Sequence, residues 1–145
     1  MQRQLNSLDR LITTLDTALR EVARGTNTLS GDRPSPAKDH SEAELTDTER
    51  QHAGGLMRIN HTGEVCAQAL YRGQALVAKS DETREALLHA AQEEKDHLDW
   101  CEERLQELGS HPSRLNPLFF VSSYALGAIT GTIGDKVSLG FVHAT

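Results

Sequence analysis

Aromatic side chains are scarce in this 145-residue sequence, with three Phe, two Tyr and one Trp. Helix formers dominate, and most Gly and Pro residues fall between periodic segments, so an all-α chain is expected. Basic excess is absent: 15 Lys+Arg against 21 Asp+Glu give a net charge of −6, which argues against nucleic-acid binding through a broad basic surface. No run of eighteen apolar residues occurs, so no segment meets the usual rule for a bilayer span. The opening MQRQLNSLDRL lacks the uninterrupted apolar core of a secretory signal. Only Cys66 and Cys101 are present, without CxxC spacing. They read as small buried hydrophobes of a reducing compartment, with a disulfide left open. The length suits one domain.

Three segments follow from the patterning. Leu5, Leu8, Ile12, Leu15, Leu19 and Val22 alternate three- and four-residue steps, the mark of an amphipathic docking helix over residues 1–24. Residues 25–45 lose that period; Pro34, Pro36 and the surrounding glycines make them a linker. The remainder, 46–145, carries the chemistry.

That remainder is organised around Ser80–Gly109, read as one helix with Ser80 or Asp81 as cap and Gly109 as stop. Its inward stripe is Leu87, Ala91, Glu94, Leu98, Cys101, Leu105 and Leu108, apolar except at its centre. A carboxylate there is costly unless compensated, and a cation compensates best, with His97 one turn on as a second ligand. Glu-x-x-His alone is weak: twelve Glu and seven His give about half an instance by chance, and Glu49–His52 is a second one.

The preceding helix opens at a TDTE capping box at Thr46 and runs to about Lys79. Its expected stripe is Leu56, Ile59, Gly63, Cys66, Leu70, Gly73 and Val77, the glycines permitting close backbone approach, and Glu64 flanks it. If the chain folds back at Ser80, Glu64 lies sixteen residues before the turn, with Glu94 and His97 fourteen and seventeen after it. At about 1.5 Å per residue the three are level, whereas His52 is about 18 Å from Glu64. His61 is the nearer candidate to stand behind the ligands. A Glu level with Glu-x-x-His is half of a ferritin-like dinuclear carboxylate arrangement. Beyond Gly109, Asn116 is expected to cap a third helix, PLFFVSSYALGAITGTIG, apolar nearly all round. It is either a core helix or a surface for a bilayer interface or greasy substrate.

INHTGEVCAQALYRGQAL, EEKDHLDWCEERLQELGSHPSRLNPLFF and ALGAITGTIGDKVSLGFV closely resemble the bacterial demethoxyubiquinone hydroxylases of ubiquinone biosynthesis. The resemblance implies a ferritin-like four-helix bundle holding two irons. It implies hydroxylation of a polyprenylated methoxy-benzoquinol using O₂ and a reductant such as NADH. It also implies a place on the cytoplasmic face of the bacterial membrane, with other ubiquinone-biosynthesis proteins or a second copy as partners. By the same resemblance Glu64, Glu94 and His97 are the first group of metal ligands, with Glu94 bridging. By the same resemblance the next ligand glutamate is expected just after Thr145, leaving the bundle incomplete at its C-terminus; the chain is then either an inactive fragment of a normal hydroxylase or a form inactive unless partners complete it. A non-enzymatic ferritin-like metal-binding module and a metal-free helical scaffold with Glu94 paired to Arg or Lys are the alternatives.

Overall fold

A computed structural model describes residues 6, 8–10, 12–13, 16, 33–41, 44–135 and 140. Three long helices dominate: α1, Asp47–Val77; α2, Asp81–Glu107; and α3, Asn116–Gly131. Among the described residues every regular element is helical, in agreement with the expected all-α class, and α1 packs against both other helices as in a ferritin-like bundle. Of the expected N-terminal helix, residues 8–10, 12–13 and 16 are helical, opened by reciprocal side-chain bonds between Asn6 and Asp9. Its remaining positions lie outside the described residues.

Local chemistry sets the boundaries of the rods. At the start of α1 the Thr46 hydroxyl accepts from the Glu49 amide at 3.3 Å, and the Glu49 carboxylate accepts from the Thr46 amide at 2.9 Å. This capping box satisfies amides that the first helical turn leaves free. Ser80 caps α2 by accepting from the Thr83 amide at 3.1 Å. The turn between the helices is fastened from outside: the Asp135 carboxylate accepts from the Lys79 and Ser80 amides at 3.1 and 2.9 Å. Gly109, with φ of 65°, lets α2 end as the Ser110 amide donates back to the Leu105 carbonyl at 2.8 Å.

The core has two seams. Tyr71, Ala75 and Ala78 meet Leu87, Ala90 and Ala91 between α1 and α2. Ala69 meets Phe120 and Tyr124 between α1 and α3, with Val65 and Leu76 beside them. In the second seam the backbones nearly touch. A Cβ on Gly73 would collide with the Tyr124 carbonyl oxygen, and one on Gly127 with that of Leu70.

The expected α1 stripe needs correction over its first half. Leu56 and Ile59 are exposed, and a Cβ on Gly63 would meet nothing within 4 Å. The buried face instead carries Gly54, His61, Gln68, Ala69, Tyr71, Gly73, Gln74 and Ala75. The reason is geometric: α1 is gripped on two sides, and close packing selected small and polar-tipped residues over the bulkiest apolar ones. Asn116 also differs from expectation. Leu115 occupies the cap position of α3, while the Asn116 side chain accepts from the Thr62 hydroxyl at 3.0 Å and meets His61 Nδ1 at 3.1 Å.

Candidate metal centre

The antiparallel α1–α2 hairpin brings Glu64, Glu94 and His97 together. One potential ligand atom from each lies within 4.8 Å of the others. His97 Nδ1 is 3.1 Å from Glu94 Oε2 along α2 and 3.8 Å from Glu64 Oε2 across the hairpin. The three-residue step from Glu94 to His97 stacks these two side chains on one helix face. Burial is graded: the side chains are 15% exposed at Glu94, 22% at Glu64 and 43% at His97.

Polar contacts close the seam above and below this layer. One turn beyond Glu64, the buried Gln68 amide donates to the Ala91 carbonyl at 3.4 Å. One turn before it, Asn60 Nδ2 donates to Cys101 Sγ at 3.2 Å. Burial pushes the Cys101 thiol up, so it stays protonated and offers the site no thiolate. Both cysteines are free, which answers the open question of a disulfide.

The electrostatics are those of a place short of positive charge. Burial first, and the adjacent Glu94 second, raise the Glu64 carboxyl to about 7, against a smaller opposing pull from His97. No Lys or Arg among the described residues pairs with Glu64 or Glu94; the partner of both is the His97 imidazole. Two carboxylates and one imidazole fit a divalent cation that accepts oxygen-rich coordination, such as iron or manganese, better than zinc in a tight N/S tetrahedron.

His61 does not stand behind the ligands. It is buried against Asn116 at the start of α3, and burial lowers its pKa so that the ring is neutral. His52 is exposed, consistent with its distance from the layer. Sequence reasoning missed three neighbours of the site: Asp96, Trp100 and Arg33. Asp96 and Trp100 share a face of α2 with His97, a spacing that could have found them. Arg33 comes from the linker, whose lack of period gave it no register.

The family described as ubiquinone biosynthesis protein COQ7 matches residues 51–145. A 3-demethoxyubiquinol 3-hydroxylase of Ectopseudomonas mendocina (strain ymp) is 57% identical over 144 residues, covering 99% of this chain and 66% of the relative. That of Pseudomonas putida (strain W619) is 56% identical with the same coverage. That of Chromohalobacter salexigens is 54% identical over 145 residues, covering 100% of this chain and 67% of the relative. The chain thus spans about two thirds of the length of these curated relatives. No solved structure matches it. The expectation of an inactive chain is not borne out by these matches, which bear on kinship along its whole length. With the family match reaching from the second turn of α1 to the final residue, the chain belongs to the ubiquinone biosynthesis protein COQ7 family.

Proposed function

We propose that Glu64, Glu94 and His97 are the first ligand group of a di-iron centre that hydroxylates demethoxyubiquinol, a polyprenylated methoxy-benzoquinol, in ubiquinone biosynthesis. The observation that carries this reading is the convergence of three ligand atoms, from two helices, within 4.8 Å. Two Fe(II) ions in a carboxylate-rich helical bundle supply the reduction of O₂ that ring hydroxylation requires, with a reductant such as NADH as electron source. The chain's own residues prepare the place. Glu94, the most buried ligand and level with both others, is suited to bridge two metals. Glu64 gives up its proton as positive charge arrives, so its carboxylate answers to loading. His97 supplies one imidazole.

The greasy substrate has a counterpart in α3. Leu118, Val121, Leu126, Ile129 and Ile133 are exposed on or just beyond this helix, while its glycine face is pressed to α1. No described helix is long and apolar enough to cross a membrane. An apolar helix of this kind suits a bilayer interface, from which a polyprenyl tail can be drawn toward the hairpin. The reading therefore includes peripheral attachment at the cytoplasmic face of the bacterial membrane and contact with other ubiquinone-biosynthesis proteins or a second copy.

Anaerobic Fe(II) loading, followed by O₂, reductant and demethoxyubiquinol, tests the proposal. Iron content and the mass of the quinone product are read together. Iron uptake with a product heavier by one oxygen, both lost in Glu94→Ala, is the expected result. Iron uptake without product would favour a metal-binding module instead; neither would leave a metal-free scaffold.

A further inference from the structure

His97 is the most exposed of the three ligand side chains, so burial does least to fix its ring. Besides the Nδ1 contact with Glu94, the ring packs on Trp100, one turn further along α2. The two rings have centroids 5.2 Å apart and are tilted by 41°. Trp100 is itself anchored, its indole Nε1 donating to the Arg33 carbonyl oxygen at 2.9 Å. Arg33 is anchored in turn by its side chain, whose Nε donates to Asp96 Oδ2 at 2.6 Å with Glu93 3.9 Å from the guanidinium. Positions 93, 96, 97 and 100 share one face of α2, so the chain of contacts leaves that face at Asp96 and returns to it at Trp100. The segment that crosses is stiff. Pro34 and Pro36 restrict φ on both sides of Ser35, and the Lys38 and His40 amides close turns onto the Ser35 and Ala37 carbonyls at 3.1 and 3.0 Å.

We propose that Trp100 is a positioning residue for the metal ligand His97, and that Arg33, reaching in from the segment ahead of the bundle, is the strap that locks Trp100 in place. The inference rests on the reading of Glu64, Glu94 and His97 as metal ligands. An imidazole free to rotate must be ordered when it ligates, which weakens binding; a ring already packed and hydrogen-bonded into place avoids that loss. The Asp96 carboxylate is nearly buried while Arg33 is half exposed, so the ion pair fastens a surface segment to a fixed point in the helix. Metal affinity of the hairpin is thereby tied to whether the preceding segment is docked.

Trp100 is the sole tryptophan of the chain, so its emission reads both the strap and the neighbouring site. The whole protein is titrated anaerobically with Fe(II), and binding is followed by Trp100 fluorescence and by competition with a chromophoric chelator. The expected wild-type result is quenching at saturation. Arg33→Ala should red-shift the emission and lower Fe(II) affinity on the order of tenfold, the scale of a lost ligand-orienting contact. Arg33→Lys, which keeps a cation for Asp96, should recover part of that affinity. Trp100→Phe, read by the chelator alone, should fall less than Trp100→Leu because a ring remains against His97. Variants that lower metal-free stability but bind Fe(II) like the wild type would overturn the strap while leaving the metal reading intact. A wild-type protein that takes up no Fe(II) would overturn both.

Discussion

His97 of α2 stands 3.8 Å from Glu64 of α1, its Nδ1 at the same time 3.1 Å from Glu94 on its own helix. One imidazole thus serves two carboxylates in a partly buried seam. A neutral ring can donate from Nδ1 to one of them only, and even a charged ring leaves the group with a net negative charge. The seam resolves this without a metal by holding Glu64 protonated up to about 7.

Stability of the metal-free protein should therefore fall as pH rises across this interval. Glu64 is raised from an unfolded value of roughly 4.3 to a folded value of about 7. Between these limits the folded state binds more protons than the unfolded state, so the slope of unfolding free energy against pH is negative. The contribution is full below the unfolded pKa and lost on passing the folded one. Urea denaturation at pH 4.5, 6 and 8 reads it directly, and Glu64→Gln should flatten that part of the profile. With Mn(II) added the order reverses: the cation favours the carboxylate, so its thermal stabilisation should be larger at pH 8 than at pH 5.

Glu94→Ala separates a ligand from a structural acid. Removing Glu94 relieves the like-charge pressure on Glu64. The metal-free melting temperature should then hold or rise slightly, while the shift caused by Fe(II) or Mn(II) disappears. A variant that melts many degrees lower without metal would mean that Glu94 stabilises the hairpin through contacts of its own.

The parts legible from sequence share a property: they depend on spacing along one helix or on the height of two helices about a short turn. The capping box at Thr46, the cap at Ser80, the stop at Gly109 and the level of Glu64 with Glu94 and His97 are of this kind. The failures needed knowledge of a third body. The hydrophobicity of Ile59 predicts an inward place, but α1 turns a face carrying Ala69 and Gly73 to α3 instead. His61 and Asn116 found each other 55 residues apart in sequence, and Arg33 found Asp96 across 63. No periodicity encodes such meetings.

The glycines of α1 divide by environment, and alanine should tell them apart. At Gly73 an added Cβ meets the backbone of α3 at Tyr124, which cannot rotate away as a side chain could. Gly73→Ala, and Gly127→Ala opposite Leu70, should each destabilise by about 1–3 kcal/mol or force the helices apart. At Gly63 the space is open within 4 Å and the backbone is helical. Gly63→Ala should stabilise by about 0.5–1 kcal/mol through helix propensity alone. Chemical denaturation of the three variants under one set of conditions makes the comparison.

Gln74 presents the opposite problem, a polar side chain where an apolar one would pack. It is fully buried on α1, its Cα close against Gly131 of α3, and neither its Nε2 nor its Oε1 has a hydrogen-bond partner among the described residues. An amide removed from water without replacement bonds costs about 1–3 kcal/mol. Methionine has nearly the same length and no branch at Cβ, so it can follow the same path between the helices without new crowding. Gln74→Met should therefore raise the unfolding free energy by about 1–2 kcal/mol at unchanged denaturant slope. A loss of stability of that size would instead mean that the amide is satisfied in solution, by water or by another segment. The glutamine would then belong to the contacts that join α1 and α3, not to a cost they bear.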